Sequence, residues 1–148
     1  MKRGNSARQP EPFVRHGGGY QFRFDIEQLQ REVDGEIVTE WQYDYVNVPA
    51  IFGDPAAVYT QAVKQRLIDG IQEHLDATAQ TRGYDHILSL CSYATSLDPT
   101  FAAEGQAGVE WRDAVWRHGY QVLADVEGGT RGIPLMGELI AELPEIGW

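Results

Sequence analysis

The dipeptide Asp34-Gly35 constrains this chain more than any other pair of residues. It lies between two runs whose side chains alternate, and an Asp-Gly pair in that setting favours a tight two-residue β-hairpin turn. Before it, "YQFRFDI" places Tyr20, Phe22, Phe24 and Ile26 on one side and Gln21, Arg23 and Asp25 on the other. After it, "EIVTEWQYDYVNV" places Ile37, Thr39, Trp41, Tyr43 and Tyr45 on one side, with Glu40, Gln42 and Asp44, then Val46 and Val48, opposite. The spacing predicts a β-region over 20–53 whose aromatics (Tyr20, Phe22, Phe24, Trp41, Tyr43 and Tyr45) form a contact face. A lone hairpin is only marginally stable in water, so this one requires helices, further strands or another chain. Its open edges invite strands from a second chain.

Residues 54–148 read as a helical module. Asp54-Pro55 has the residue types of an N-cap and first helical position. From there Tyr59, Val63, Leu67, Ile71, Leu75 and Ala79 recur every four residues until Arg82-Gly83 ends the stripe. A second helix is expected from about Tyr84 to Thr95, and a third from about Thr100 to Glu127, stopped by Gly128-Gly129. A short fourth is expected over Met136 to Leu143, closed by Pro144. The expected class is therefore α+β: a small antiparallel β-region followed by about three helices and a short C-terminal one.

Charge is uneven. The net charge is −10, yet in residues 1–20 Lys2, Arg3, Arg8 and Arg15 outweigh Glu11 by three, leaving −13 for the remainder. So acidic a body opposes nucleic-acid binding, which needs clustered positive charge. Residues 1–19, ending in Gly17-Gly18-Gly19, read as a basic arm, flexible or docked on an acidic neighbour, with Arg15 as a candidate contact. No apolar run approaches the roughly 18 residues that cross a bilayer, and the N-terminus lacks the apolar segment of a signal peptide. Neither nucleic acid nor a membrane is an expected partner.

Catalytic and metal chemistry find little support in the pattern. Cys91, the sole cysteine, shares its expected helix face with Ile87, Leu88 and Ala94, whereas His86 lies well round the helix; it reads as a packing residue. His16, His74, His86 and His118 lack the spacings that set two ligands on one face. Asp69, Glu73 and Asp76 read as solvated surface in a chain with 22 acidic residues. No metal, cofactor or catalytic residue is expected, and a small cytoplasmic enzyme remains only the remotest alternative. "EWRDAVWRHGYQVL" carries two aromatic stripes: Trp111 with Val115, and Trp116 with Tyr120. The second stripe is a candidate partner site.

Three stretches taken in order carry a resemblance. "TRGYDHILSLCSYATS", "PTFAAEGQAGVEWRDAVWRHGYQVLADVEGGTRGIP" and "ELIAELPEI" resemble the C-terminal helical module of small bacteriophage proteins encoded with tail-fibre or baseplate genes, some known as tail-fibre assembly proteins. The match spans about residues 60–148. It rests on Arg-Gly-Tyr-Asp, Phe-x-x-Glu-Gly, Trp-Arg-Asp-Ala-Val-Trp, Thr-Arg-x-Ile-Pro and Glu-Leu-Ile-Ala-Glu-Leu-Pro occurring together. It implies a non-enzymatic protein of the virion tail, with other tail, fibre or baseplate proteins as partners and self-association among the options. Within that context a structural subunit is the first expectation and an assembly chaperone absent from the mature particle the alternative.

Overall fold

A computed structural model describes residues 1–49 and 54–148. The chain is an α+β protein, with four strands among the described residues, β1 (Lys2–Ser6), β2 (Phe13–His16), β3 (Gly19–Val33) and β4 (Glu36–Val48), and four α-helices, α1 (Pro55–Thr81), α2 (Ile87–Ser92), α3 (Pro99–Glu127) and α4 (Met136–Glu142). It forms two compact units, Met1–Val63 and Lys64–Trp148, the division falling within α1. Residues 50–53, where the sequence places the end of the β-region, lie outside the described residues.

In the first unit the sheet is antiparallel with strand order β1-β4-β3-β2. Asp34 and Gly35 both take positive φ (53° and 83°), the geometry a two-residue hairpin turn needs, and Val33 pairs with Glu36 across it. That register runs unbroken to Glu27 and Gln42 and then shifts. Asp25, at φ 47°, and Ile26 together stand opposite the single residue Tyr43, forming a β-bulge. One extra residue reverses the alternation beyond it. Phe22 therefore pairs with Val46 and Phe24 with Asp44, while Arg23 pairs with Tyr45. The aromatics of β3 and β4 lie on opposite faces, which corrects the expectation of one shared aromatic face.

The first face is closed by α1. Tyr59, 8% exposed, brings its ring within 5.5–5.7 Å of Phe13, Phe22 and Phe24. Its hydroxyl donates to the Arg23 carbonyl at 2.8 Å. The second face is covered differently. β1 and β2 occupy opposite edges, so the link between them, residues 7–12, has to cross the sheet. Arg23 holds this link, its backbone N–H donating to the Pro12 carbonyl (2.8 Å) and its guanidinium to the Glu11 carbonyl (3.4 Å). Beneath it the guanidinium lies 4.9 Å from the centre of the Tyr43 ring, and Gln21 bridges Arg23 to Asn47. Residues 1–19 are thus no arm but two strands and a crossing strap. Gly17, at φ 59°, turns β2 into β3. The edges that were expected to recruit another chain are filled, over Trp41–Tyr45 and Gly19–Phe22, by the chain's own β1 and β2.

The second unit is helical. Leu67, Ile71, Leu75 and Ala79 of α1 are buried, as their four-residue spacing predicts, and Gly83 (φ 90°) ends the helix. On α3 the buried stripe runs Gly105, Gly108, Trp111, Val115, Gly119 and Val122. Its glycines are contact points. A Cβ on Gly119 would lie 2.5 Å from Ile71 Cδ1, one on Gly108 2.6 Å from Leu90 Cγ, and one on Gly105 2.2 Å from the backbone nitrogen of Ala94. Asp98 caps α3 by accepting from the N–H groups of Thr100 and Phe101, with Pro99 first in the helix. Trp111 Nε1 donates to the Pro144 carbonyl at 2.6 Å and pins the C-terminal segment.

α2 is shorter than its apolar spacing predicts. His86, extended, caps it by accepting the Ser89 N–H on Nδ1, so residues 84–86 stay outside the helix. Tyr93–Thr95 tighten into a 3₁₀ turn, the segment that lies against Gly105. Asp76, read from sequence as solvated, accepts the Ile87 N–H at 2.9 Å and so helps start α2.

Gly105→Ala forces a Cβ into backbone that cannot swing aside, and should destabilise the second unit by about 1–3 kcal/mol. Gly137→Ala, with no atom within 4 Å of the new Cβ, should stabilise it by about 0.5 kcal/mol; urea unfolding of both variants checks the pair. Deleting residues 1–19 should abolish amide hydrogen-exchange protection over Tyr20–Phe24 and Trp41–Tyr45. Retained protection there would return the segment to the role of an arm.

Candidate functional site

The nine sequence candidates separate once the faces are known. Phe22 (1% exposed), Phe24 (7%) and Tyr43 (9%) belong to the core of the first unit and offer no contact surface. The bulge turned Phe22 and Phe24 under Tyr59, while Gly4 of β1 and the Arg23 guanidinium close over Tyr43. Tyr20, Trp41 and Tyr45 remain half-buried. Arg15 is exposed, with its guanidinium 5.7 Å from the Tyr20 ring centre. In the second unit the rings of Trp116 and Tyr120 lie tilted, 5.5 Å apart, on α3, Trp116 half-buried and Tyr120 largely exposed. No single site gathers all nine.

The sheet offers a surface at its far end instead. β1 pairs only with Trp41–Tyr45 and β2 only with Gly19–Phe22. From Glu27 to Val33 and from Glu36 to Glu40 the hairpin is therefore two-stranded, its outer edges bearing no strand among the described residues. Val33, Ile37 and Val38 are exposed there, Ile37 by 67%. Residues 27–40 hold Glu27, Glu32, Asp34, Glu36 and Glu40 against Arg31, a net charge of −4. Arg31 is itself engaged by Glu40 at 3.4 Å across the strands. The whole is an acidic ribbon with an apolar tip and free backbone edges, able to dock by strand addition or by insertion into an apolar slot with a basic rim. The aromatic candidates read from the sequence lie at the other end of this hairpin, where Phe22, Phe24 and Tyr43 are buried. The available signal was "REVDGEIV", where apolar residues stand next to the turn.

Cys91 and His74 are both half-buried. Burial pushes the Cys91 thiol up while the nearby Arg112 pulls the other way. The expected face is only partly right: Ile87 and Leu90 are buried, and Leu88 is 61% exposed. His74 stands edge-on to Trp111 at 5.8 Å in a cavity of about 340 Å³ lined also by Thr78, Ile140, Leu143 and Pro144. Burial lowers its pKa from the ordinary 6.5. No group of three or more His, Cys, Asp or Glu able to hold a metal occurs among the described residues. No described helix is long and apolar enough to cross a membrane.

No protein-family model, curated protein or solved structure matches this chain.

The His74 setting has a signed consequence. Because its folded pKa lies below the unfolded 6.5, the unfolded chain takes up the proton first on acidification. His74 therefore reduces stability as pH falls through 6.5 toward the lowered value, with no further loss below it. His74→Phe keeps an aromatic ring against Trp111 and should shrink the difference between urea midpoints at about pH 7.5 and about pH 5.5. An unchanged difference would assign that pH dependence to other groups.

Proposed function

We propose that this chain is a non-enzymatic bacteriophage tail protein, a structural subunit that joins or stabilises tail-fibre and baseplate components of the virion. The tail context comes from the ordered motifs of residues 60–148 described above. The observation that carries a binding role is the two-stranded end of β3 and β4. Such a ribbon is marginal by itself, and here it displays apolar side chains and, among the described residues, strand edges without a further strand over Glu27–Val33 and Glu36–Glu40. Its charge of −4 favours a partner with a basic rim. Several of the motifs have structural work in the second unit that suits a rigid joint. In Thr-Arg-x-Ile-Pro, Thr130 and Arg131 donate backbone N–H groups to the Asp125 carbonyl beyond the end of α3, and Arg131 makes a two-pronged pair with Glu142 of α4.

Mass spectrometry of purified particles of the encoding phage tests the reading. The chain is expected at a fixed ratio to fibre or baseplate proteins. Its presence only in assembly intermediates would replace the structural role by that of a chaperone, and its absence from both would overturn the tail assignment. The ribbon has its own test. Ile37→Asp with Val38→Asp, both on exposed positions, should change stability by no more than about 0.5 kcal/mol each yet lower incorporation into particles. Undiminished incorporation would remove the ribbon from the interface.

A further inference from the structure

Two of the motifs, Arg-Gly-Tyr-Asp (82–85) and Phe-x-x-Glu-Gly (101–105), are separated in sequence by α2 and its 3₁₀ turn but line one cavity in the second unit. Its volume is about 280 Å³, and its walls are Arg82, Tyr84, Asp85, Tyr93, Phe101 and Glu104, with Gly83 and Ser89. Gly105 permits the junction, because the 93–94 backbone lies where its side chain would be. The rings form a chain: Tyr84 meets Tyr93 edge-on at 5.4 Å, and Tyr93 meets Phe101 edge-on at 5.6 Å. Tyr93 and Phe101 stay 40% and 46% exposed.

The donors of this cavity are already committed to one carboxylate. Tyr84 Oη donates to Glu104 Oε2 at 2.7 Å, and Arg82 reaches Glu104 Oε1 from Nε at 3.1 Å and from Nη2 at 2.9 Å. Arg82 also lies 5.1 Å from the centre of the Trp148 ring. Burial and then the bond to Glu104 raise the Tyr84 pKa to about 12, so the phenol stays a donor at neutral pH. Asp85 adds a second carboxylate, and the contact it receives from Gln80 is to its backbone carbonyl. Two carboxylates against one guanidinium leave a net negative charge beside exposed aromatic faces. That combination selects a cation on an apolar stem, the stem against the rings and the charge at the carboxylates. The volume lies below the roughly 300–1,000 Å³ of sites for drug-sized ligands and suits one long side chain.

We infer that this cavity receives a lysine or arginine side chain presented by a partner protein. The inference stands apart from the tail assignment, because it concerns the isolated chain. The test is an NMR titration of the full, isotopically labelled chain with N-acetyl-lysine methylamide, its arginine counterpart, the neutral analogue N-acetyl-norleucine methylamide, and spermidine. The lysine or arginine probe should give saturable shifts confined to residues 82–89, 93 and 101–104. The norleucine probe should bind about tenfold more weakly or less. Phe101→Ala and Asp85→Asn, both at exposed positions, should each weaken the cationic probe several-fold without altering the spectrum elsewhere. Equal binding of norleucine and lysine, no saturable shift with any probe, or wild-type binding by Phe101→Ala would each overturn the inference. Tighter binding of spermidine than of the blocked amino acids would overturn the assignment to a protein partner in favour of a free polyamine.

Discussion

The extra residue in β3 governs the first unit. Asp25 occupies a left-handed conformation that few non-glycine residues adopt, and Asp is among those that tolerate it. With Ile26 it faces Tyr43 alone, so every side chain from Tyr20 to Phe24 is turned over relative to a regular ribbon. Phe22 and Phe24 then meet Tyr59, and Arg23 swings to the other face, where it lies over Tyr43 and holds the strap from β1 to β2. Without the bulge the aromatics of both strands would share one side, and the other side would have nothing to hold the strap. The same feature lies where the four-stranded base gives way to the two-stranded end.

In the second unit, the matching constraint is the absence of side chains. Gly105, Gly108 and Gly119 repeat along the buried stripe of α3, each accepting a different neighbour: the 3₁₀ backbone, Leu90 of α2 and Ile71 of α1. Glycine costs helix stability at each position, roughly 0.5–1 kcal/mol relative to alanine. Close approach offsets that cost through dispersion contacts and burial of Ile71 and Leu90, both fully enclosed. It also brings Tyr93 against Phe101, and with them the residues of two motifs around a common cavity. Close packing and the cavity have one cause.

Local signals were readable wherever they acted over a few residues. The Asp34-Gly35 turn, the Asp54-Pro55 start, the four-residue stripe of α1, the stops at Gly83 and Gly128, and the limits of α4 all follow from backbone preferences and capping that neighbouring residues supply. Strands β1 and β2 were not readable. Lys2–Ser6 lacks apolar alternation, and its partner, Trp41–Tyr45, is about forty residues away. A basic strand lies beside an acidic one, with Arg3 3.2 Å from Asp44, a pairing that composition presents only as a charged terminus. The same gap hid the ring chain from Tyr84 to Phe101, because those residues are assembled by helix packing and not by spacing.

By itself, then, the sequence determined the α+β class, the hairpin, the helices and most of their ends, because turn geometry, capping and apolar period are local properties of the chain. Tertiary structure alone decided that residues 1–19 complete the sheet, that the aromatic faces of the hairpin diverge, that the end of the ribbon stays exposed, and that Tyr84, Tyr93 and Phe101 come together around one cavity. The reason is physical. A bulge reverses sidedness with one residue, and long-range pairing depends on which edges remain open after the rest of the sheet has formed.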